Sequence, residues 1–245
     1  MSINSSGDWF AQWFDSRYYH ILYCNRNDQE ALAFIRKLLN HLEVSEDVQI
    51  LDLACGSGRH TRSVTALGYQ VTGMDLSEES IAMARQQSPG IQYEVGDMRS
   101  FDLGRRFGMV MNLFTSFGYF DDVAENAKAL GCVARHLFKD GIFVLDYFNA
   151  TQVVSNLIPK EYIVREGVEF HIRREVRNRH ICKRIEVVDG NHREVHEEKV
   201  QLFSREDVEA MMIQAGLQPK ECFGDYELNA FNQNSPRMII VAEKN

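Results

Sequence analysis

Proline is scarce in this chain, with four in 245 residues, and no repeat or low-complexity tract is visible. With hydrophobic residues at 44%, that scarcity fits a folded globular chain and excludes a long disordered tail. No apolar run approaches the roughly 20 residues a membrane helix needs, so no membrane association is expected. The opening Met-Ser-Ile-Asn-Ser-Ser-Gly-Asp lacks the basic region and apolar core of a signal peptide, which makes cytoplasm the expectation. An excess of basic charge is also missing. The formal charge of −8 argues against a nucleic-acid partner, whose electrostatic footprint would be basic. The five cysteines, Cys24, Cys55, Cys132, Cys182 and Cys222, are odd in number and hold no Cys-x-x-Cys pair, so they read as reduced thiols. His192 and His196 have an i,i+4 spacing that would suit a metal only on a helix, and their neighbourhood reads as strand. No metal site is expected.

What is present is a βα turn with small residues. Residues 50–59 read Ile-Leu-Asp-Leu-Ala-Cys-Gly-Ser-Gly-Arg: an apolar run opens into a glycine loop just before a helical segment, and Asp75 closes the next apolar run. Strand, loop, helix, strand and terminal acid make a site for an adenosine-containing cofactor. A dinucleotide fingerprint needs a third glycine for close helix–strand packing, and Thr61 stands in its place. The Lys-Ser/Thr pair of a phosphate loop is missing too, because Arg59 and His60 follow Gly58. A close-approach loop with no phosphate signature suits a nucleoside without phosphates, such as S-adenosylmethionine (SAM). Cys55 is small enough for this loop and has no evident local base to make it a nucleophile.

Along the chain, residues 9–23 are dense in aromatics and residues 29–42 carry apolar side chains at helical spacing. Strands are expected at 48–53, 69–75, 91–95, 107–112 and 141–147, with helices at 59–67, 78–87 and 122–138 between them. Such alternation implies a parallel, doubly wound α/β sheet. After Asn149 the rhythm changes: residues 161–165, 168–177, 180–188 and 192–203 read as four strands joined by short turns, hence an antiparallel meander. A helix from Ser204 to Ala215 and strands at 217–223 and 237–242 complete the chain.

In an open α/β sheet the ligand lies outside the carboxyl ends of the strands. Asp75 is placed there to accept both ribose hydroxyls of an adenosine. After the third strand, Gly96-Asp97-Met98 offers an acceptor for the adenine amino group and a side chain over the ring, while Leu76 covers the other face; Met98 reads equally well as core filling. Asn112 and Phe114, at the end of the fourth strand, stand near the expected methionyl end, where the Asn112 carbonyl would meet the ammonium.

Four segments together resemble a small-molecule branch of the class I SAM-dependent methyltransferases, a branch that includes the N,N-dimethyltransferases of nucleotide-linked amino sugars. These are residues 51–58, with acid-x-Ala-x-Gly-x-Gly at Asp52, Ala54, Gly56 and Gly58; residues 71–77; Gly96-Asp97-Met98-Arg99; and Phe114-Thr-Ser-Phe-Gly-Tyr119. The match covers residues 19–147 well and the remainder more loosely. It implies a Rossmann-like methyltransferase sheet, with 1–245 as one domain, 1–45 as an amino-terminal helical cap and 155–203 as a four-stranded antiparallel insertion. It nominates Tyr19, and with it Tyr23, for a helix that closes over SAM. It also gives the meander a role in the acceptor pocket or a homodimer contact. Ala54 replaces a common glycine, a variant the branch also uses.

The implied reaction moves the SAM methyl group to N or O of a small molecule, leaving S-adenosylhomocysteine (SAH). Alignment of the nucleophile carries most of such a displacement, on the order of 7 to 11 kcal/mol. A base is needed for a hydroxyl and optional for an amine. Candidates near the expected acceptor site are Tyr119, Asp146, Tyr147 and His20, the last reading equally as a packing histidine. Residues 165–184 hold seven Arg or Lys against three Glu; a solvated sheet face with cross-strand ion pairs is the simpler reading, an anion site on the acceptor the sharper one. Two other functions stay open: a nicotinamide-dependent oxidoreductase, opposed by Thr61, and a catalytically silent SAM-binding regulatory protein. An acceptor-sized cavity beside Tyr119 and Tyr147 would separate the latter from an enzyme.

Overall fold

A computed structural model describes residues 9–24 and 27–245. The chain enters through two helices of one and a half turns, α1 (Trp9–Phe14) and α2 (Arg17–Leu22), the second capped by the Ser16 hydroxyl, which accepts from the Tyr18 N–H. Asn27 caps α3 (Asp28–His41), whose Phe34, Ile35, Leu38 and Leu39 are buried at the spacing the sequence showed. The alternating part follows: β1 (Gln49–Leu53), α4 (Arg59–Ala66), β2 (Gln70–Asp75), α5 (Glu78–Gln87), β3 (Gln92–Val95), β4 (Phe107–Asn112), α6 (Val123–His136) and β5 (Leu137–Phe148). A short α7 (Ala150–Ser155) leads to β6 (Lys160–Arg165), β7 (Val168–Arg177), β8 (His180–Asp189) and β9 (His192–Gln201). The chain closes with α8 (Arg205–Gln214), β10 (Leu217–Phe223) and β11 (Arg237–Lys244).

Seven strands form one sheet in the order β10-β11-β5-β4-β1-β2-β3. The five from β5 to β3 are parallel, whereas β11 runs antiparallel to β5 and β10 to β11. The winding reverses between β1 and β4. That switch point is where a doubly wound sheet opens a crevice at its carboxyl edge.

Beyond shifts of a residue or two at element ends, the fold departs from the sequence expectation at the start of the fifth strand and in one short added helix. The fifth strand starts at Leu137, directly after α6, because the chain turns within it: Asp140 has φ +60, and a Cβ on Gly141 would lie 2.9 Å from the Phe138 carbonyl oxygen. Leu137 and Phe138 continue the helical apolar spacing and so hid that turn. The α7 turn, capped by Asn149, buries none of its residues, so it left no apolar pattern to read.

The meander is a separate sheet in the order β6-β7-β8-β9. Its inner face, with Phe170, Ile172, Ile185 and Val187, is buried against Trp13, Tyr18, Ile21 and Leu22 of the first two helices. Isolated helices of six residues are not stable in water. Burial at ~1.5–3 kcal/mol for each large apolar side chain holds them here. The small sheet thereby presses α1 and α2 over the carboxyl edge of the large one. Gln201, at the end of β9, ties the two together: its N–H donates to the Gly118 carbonyl at 2.8 Å and its side-chain amide to that of Phe120 at 3.0 Å.

Candidate active site

A cavity of about 440 Å³ lies at the switch point, floored by the loops after β1, β2, β3 and β4 and walled by side chains of α1 and α2. Its loop geometry follows from three left-handed residues, Ala54 (φ +60), Gly56 (φ +56) and Gly58 (φ +83). The left-handed region costs a non-glycine residue ~1–2 kcal/mol, which is the physical reason glycine is common at the Ala54 position.

The two loop glycines do different work. Gly56 lines the cavity with nothing within 4 Å of a notional Cβ, so its missing side chain is what lets a ligand approach the backbone. Gly58 does not line the cavity; a Cβ there would stand 2.4 Å from the Tyr93 hydroxyl, so it serves packing of the loop on β3. Asp75 reaches the cavity from the end of β2, its two oxygens accepting from the Gly56 N–H at 2.7 Å and the Ser77 N–H at 2.9 Å. Burial pushes its carboxyl up.

Asp52 sits beneath, 1% exposed and outside the cavity lining, accepting from the Thr61 hydroxyl at 2.6 Å. Burial raises it to about 6 against the pull of that hydrogen bond. Thr61, which stands where a dinucleotide fingerprint has glycine, is therefore the partner of the buried acid. Because the folded-state pKa lies above the unfolded one, the folded state holds the extra proton between pH ~4 and ~6, and stability falls as pH rises through that window. Asn at this position is neutral throughout. The thermal stability of Asp52→Asn relative to wild type should accordingly rise from pH 4 to pH 6.5 and then level off; parallel melting curves across that range would refute it.

Asp97 lines the cavity after β3. Burial opposes its ionisation, but hydrogen bonds from the Arg99 guanidinium (3.0 Å from Nε) and backbone N–H (2.8 Å) outweigh it and hold the carboxyl below its ordinary range. Leu76, Gly96 and Met98 line the same region, and a Cβ on Gly96 would press on the Met74 sulfur at 2.9 Å. Asn112 ends β4 fully buried and outside the lining. Its amide donates to the Leu53 carbonyl at 3.0 Å, and its own carbonyl oxygen has no partner among the described residues.

Phe114 and Thr115 are consecutive left-handed residues, φ +61 and +60, and Asp146 holds that turn. The Asp146 carboxylate accepts from the Phe114 N–H at 2.9 Å and its backbone carbonyl from the Thr115 N–H at 2.9 Å. The Phe114 ring lines the cavity beneath the Arg59 guanidinium, 4.8 Å from the ring centre. Tyr119 lines it too, packed edge-on by Trp9 and Phe14 and donating its hydroxyl proton to the Thr115 carbonyl at 2.5 Å. Tyr19 and His20 line it from α2.

Of the residues the sequence nominated, twelve therefore converge: Tyr19, His20, Tyr23, Ala54, Gly56, Asp75, Leu76, Gly96, Asp97, Met98, Phe114 and Tyr119. Five lie off the cavity. Asp52, Gly58 and Asn112 form the layer beneath it. Asp146 is occupied by Arg237, Tyr226 and the Phe114 turn. Tyr147 is fully buried, donates to the Gln201 carbonyl, and burial pushes its phenol well up. The cavity opens beside Tyr119 and not beside Tyr147. Sequence reasoning missed Arg59, His60 and Arg62, which also line it from the first turn of α4. Their position directly after Gly58 was the available signal. Cys55 lines the cavity with its thiol driven well up by burial, which argues against a nucleophile.

Asp75 on the lining and Asp52 in the layer beneath it set two acids beside the glycine loop, and burial disfavours the ionisation of both. A doubly wound sheet with an acid ending its second strand at the switch point, and no phosphate-binding sequence in its glycine loop, fits a class I methyltransferase. Comparison with known proteins agrees. A methyltransferase-domain family model matches residues 50–141. The dTDP-3-amino-3,6-dideoxy-alpha-D-glucopyranose N,N-dimethyltransferase of Streptomyces fradiae is 36% identical over 180 residues, 69% of each chain. The chain belongs to the SAM-dependent methyltransferase family, in its small-molecule branch. The sugar N-methyltransferase KedS8 from Streptoalloteichus sp ATCC 53650 shares the fold (TM-score 0.76, 22% identity, 100% of this chain and 97% of that one). So does SAM-bound CalS10, an amino pentose methyltransferase from Micromonospora echinaspora (TM-score 0.70, 24% identity, 94% and 98%). Neither the oxidoreductase nor the silent regulatory reading finds support.

Proposed function

We propose that this methyltransferase acts on the amino group of a nucleotide-linked amino sugar, with Asp75 on the ribose hydroxyls of SAM, Asp97 on its adenine amino group, and Leu76 and Met98 against the adenine ring. The observation that carries the acceptor class is the aromatic wall of Phe14, Tyr19 and Tyr119, whose rings lie 5.0 to 5.4 Å apart along the cavity. Ring faces stabilise cations. Bound SAM supplies an electrophilic methyl group on a sulfonium, and an amine that takes it becomes an ammonium, so charge stays positive beside that wall throughout. The Tyr119 proton is committed to Thr115, and toward a substrate its oxygen acts as acceptor for an amine N–H. That bond aims the amine lone pair, the alignment such a displacement mostly requires. His20 is placed to receive the proton that the new ammonium loses. The similarity to the Streptomyces fradiae enzyme supports the nucleotide-linked amino sugar as class.

The same reading takes residues 1–245 as one methyltransferase domain with 1–45 as its cap and 155–203 as its insertion. It places the enzyme in the cytoplasm, where nucleotide sugars are made, without a nucleic-acid partner, and as a homodimer through the insertion. No helix among the described residues is long and apolar enough to cross a membrane. The test is incubation with SAM and two thymidine-diphosphate deoxysugars that differ only in carrying an amino or a hydroxyl group. Mass gains of one and two methyl groups on the amino compound, with the hydroxyl compound unchanged, are expected. Methylation of the hydroxyl compound alone would overturn the assignment.

A further inference from the structure

Glu198 lies on the inner face of the small sheet, off the cavity, and it gathers donors from three elements. It accepts from the Trp13 indole N–H of α1 at 2.7 Å and from the Tyr23 hydroxyl, just past the end of α2, at 2.8 and 3.0 Å. Lys183 of β8 pairs with it at 3.3 Å, donates to the Tyr23 oxygen, and sits 4.7 Å from that ring's centre. Lys183 and Glu198 are register partners on β8 and β9, 14% and 15% exposed. Their two aromatic clients connect them to the cavity wall. Tyr23 lines the cavity, and Trp13 packs edge-on against Tyr19, which lines it as well and lies 4.9 Å from Tyr23.

We propose that Glu198, held by Lys183, is a positioning residue that sets the tyrosine wall of the SAM pocket from the antiparallel sheet. The small sheet contributes none of the cavity lining; beside the apolar packing that seats α1 and α2, this carboxylate and the two aromatic donors it fixes give it a directional hold on the wall. Hydrogen bonding of this kind also explains a charged pair on the face that carries the apolar patch of Phe170, Ile172, Ile185 and Val187. A buried ion pair is poor evidence of stability gain in itself, since apolar residues of similar volume often serve as well. Orientation is what an apolar pair could not supply. Burial pushes the Tyr23 phenol well up, keeping its proton in place to donate to Glu198, and the Coulombic pull of Glu198 opposes the lowering of Lys183 by burial.

The experiment is calorimetric titration of SAH into the full chain. SAH carries no acceptor, so the result is independent of whether the acceptor is an amino sugar. Glu198→Ala is expected to raise the SAH Kd about tenfold with one site per chain retained, equivalent to losing roughly 1.4 kcal/mol of orientation. Tyr23→Phe added to Glu198→Ala should cost little more, because both remove the same bond. The double variant Lys183→Met/Glu198→Gln removes both charges and keeps a carbonyl acceptor, and should return the Kd to within about threefold of wild type. A purely structural role would lower the number of sites and leave the Kd unchanged. That outcome, or a Kd within twofold of wild type in folded Glu198→Ala, overturns the proposal. Should Glu198→Ala fail to fold, Glu198→Leu, which also removes every acceptor, is read by the same criteria.

Discussion

Asp75→Ala is expected to weaken SAH binding about 100-fold, roughly 2.7 kcal/mol, while the chain stays folded. Both oxygens of Asp75 already accept one backbone N–H each, from Gly56 and Ser77, which fixes the carboxylate at the cavity edge. Their remaining lone pairs are what a ribose diol would meet, and a hydrogen bond to a charged group is worth about 1.5–3 kcal/mol. Losing two such bonds, with some recovery from water, gives the stated figure. Folding should suffer little because burial already disfavours this carboxylate. SAM and SAH share the nucleoside, so both should weaken by the same factor, a signature that a fault at the sulfonium end would not produce. Asp75→Asn, which keeps one acceptor, should fall between. Titration of both ligands into the two variants checks the prediction; a change under threefold would remove Asp75 from cofactor binding.

The sequence made Asp75 legible because an apolar run, buried in the fold as β2, ended on an acid at the place where a doubly wound sheet binds ligands. The same logic located Asp97, and the missing third glycine separated SAM from a dinucleotide. What it could not supply were pairings across large separations. Trp13 and Glu198 are 185 residues apart, and Tyr147 meets Gln201 over 54. Asp146 and Tyr147 shared a strand end, the rule that had worked for Asp75, yet both turn into the interior. The rule fails there because β11 lies antiparallel against β5 and brings Arg237 to that end. A parallel neighbour would have left the strand end open to the crevice. The basic segment 165–184 likewise resolves only in the fold: Arg174 pairs with Glu161, Arg177 with Glu197 and Lys183 with Glu198, so much of its charge is spent across strands.

Asp146→Ala should cost about 3–5 kcal/mol of stability, because it leaves a guanidinium that is only 19% exposed without its counterion. Arg237 places Nε 2.7 Å and Nη2 2.6 Å from one Asp146 oxygen, and the other oxygen accepts from the Tyr226 hydroxyl at 3.0 Å and the Phe114 N–H. Losing the carboxylate also releases a turn in which Phe114 and Thr115 are both held left-handed, a conformation each resists. For a chain of 245 residues this corresponds to a melting point lower by roughly 6–20 °C. Asp146→Leu with Arg237→Met removes both charges and should recover a good part of the loss, since apolar pairs of similar volume replace buried ion pairs well. Urea unfolding of the wild type and these two variants measures the differences. Had Asp146 served as the proton acceptor, Asp146→Asn would abolish turnover at nearly wild-type stability. The geometry predicts the reverse order of effects: stability falls first, and turnover only as far as Phe114 shifts at the cavity wall. Wild-type unfolding midpoints for Asp146→Ala together with lost activity would return this residue to the chemistry.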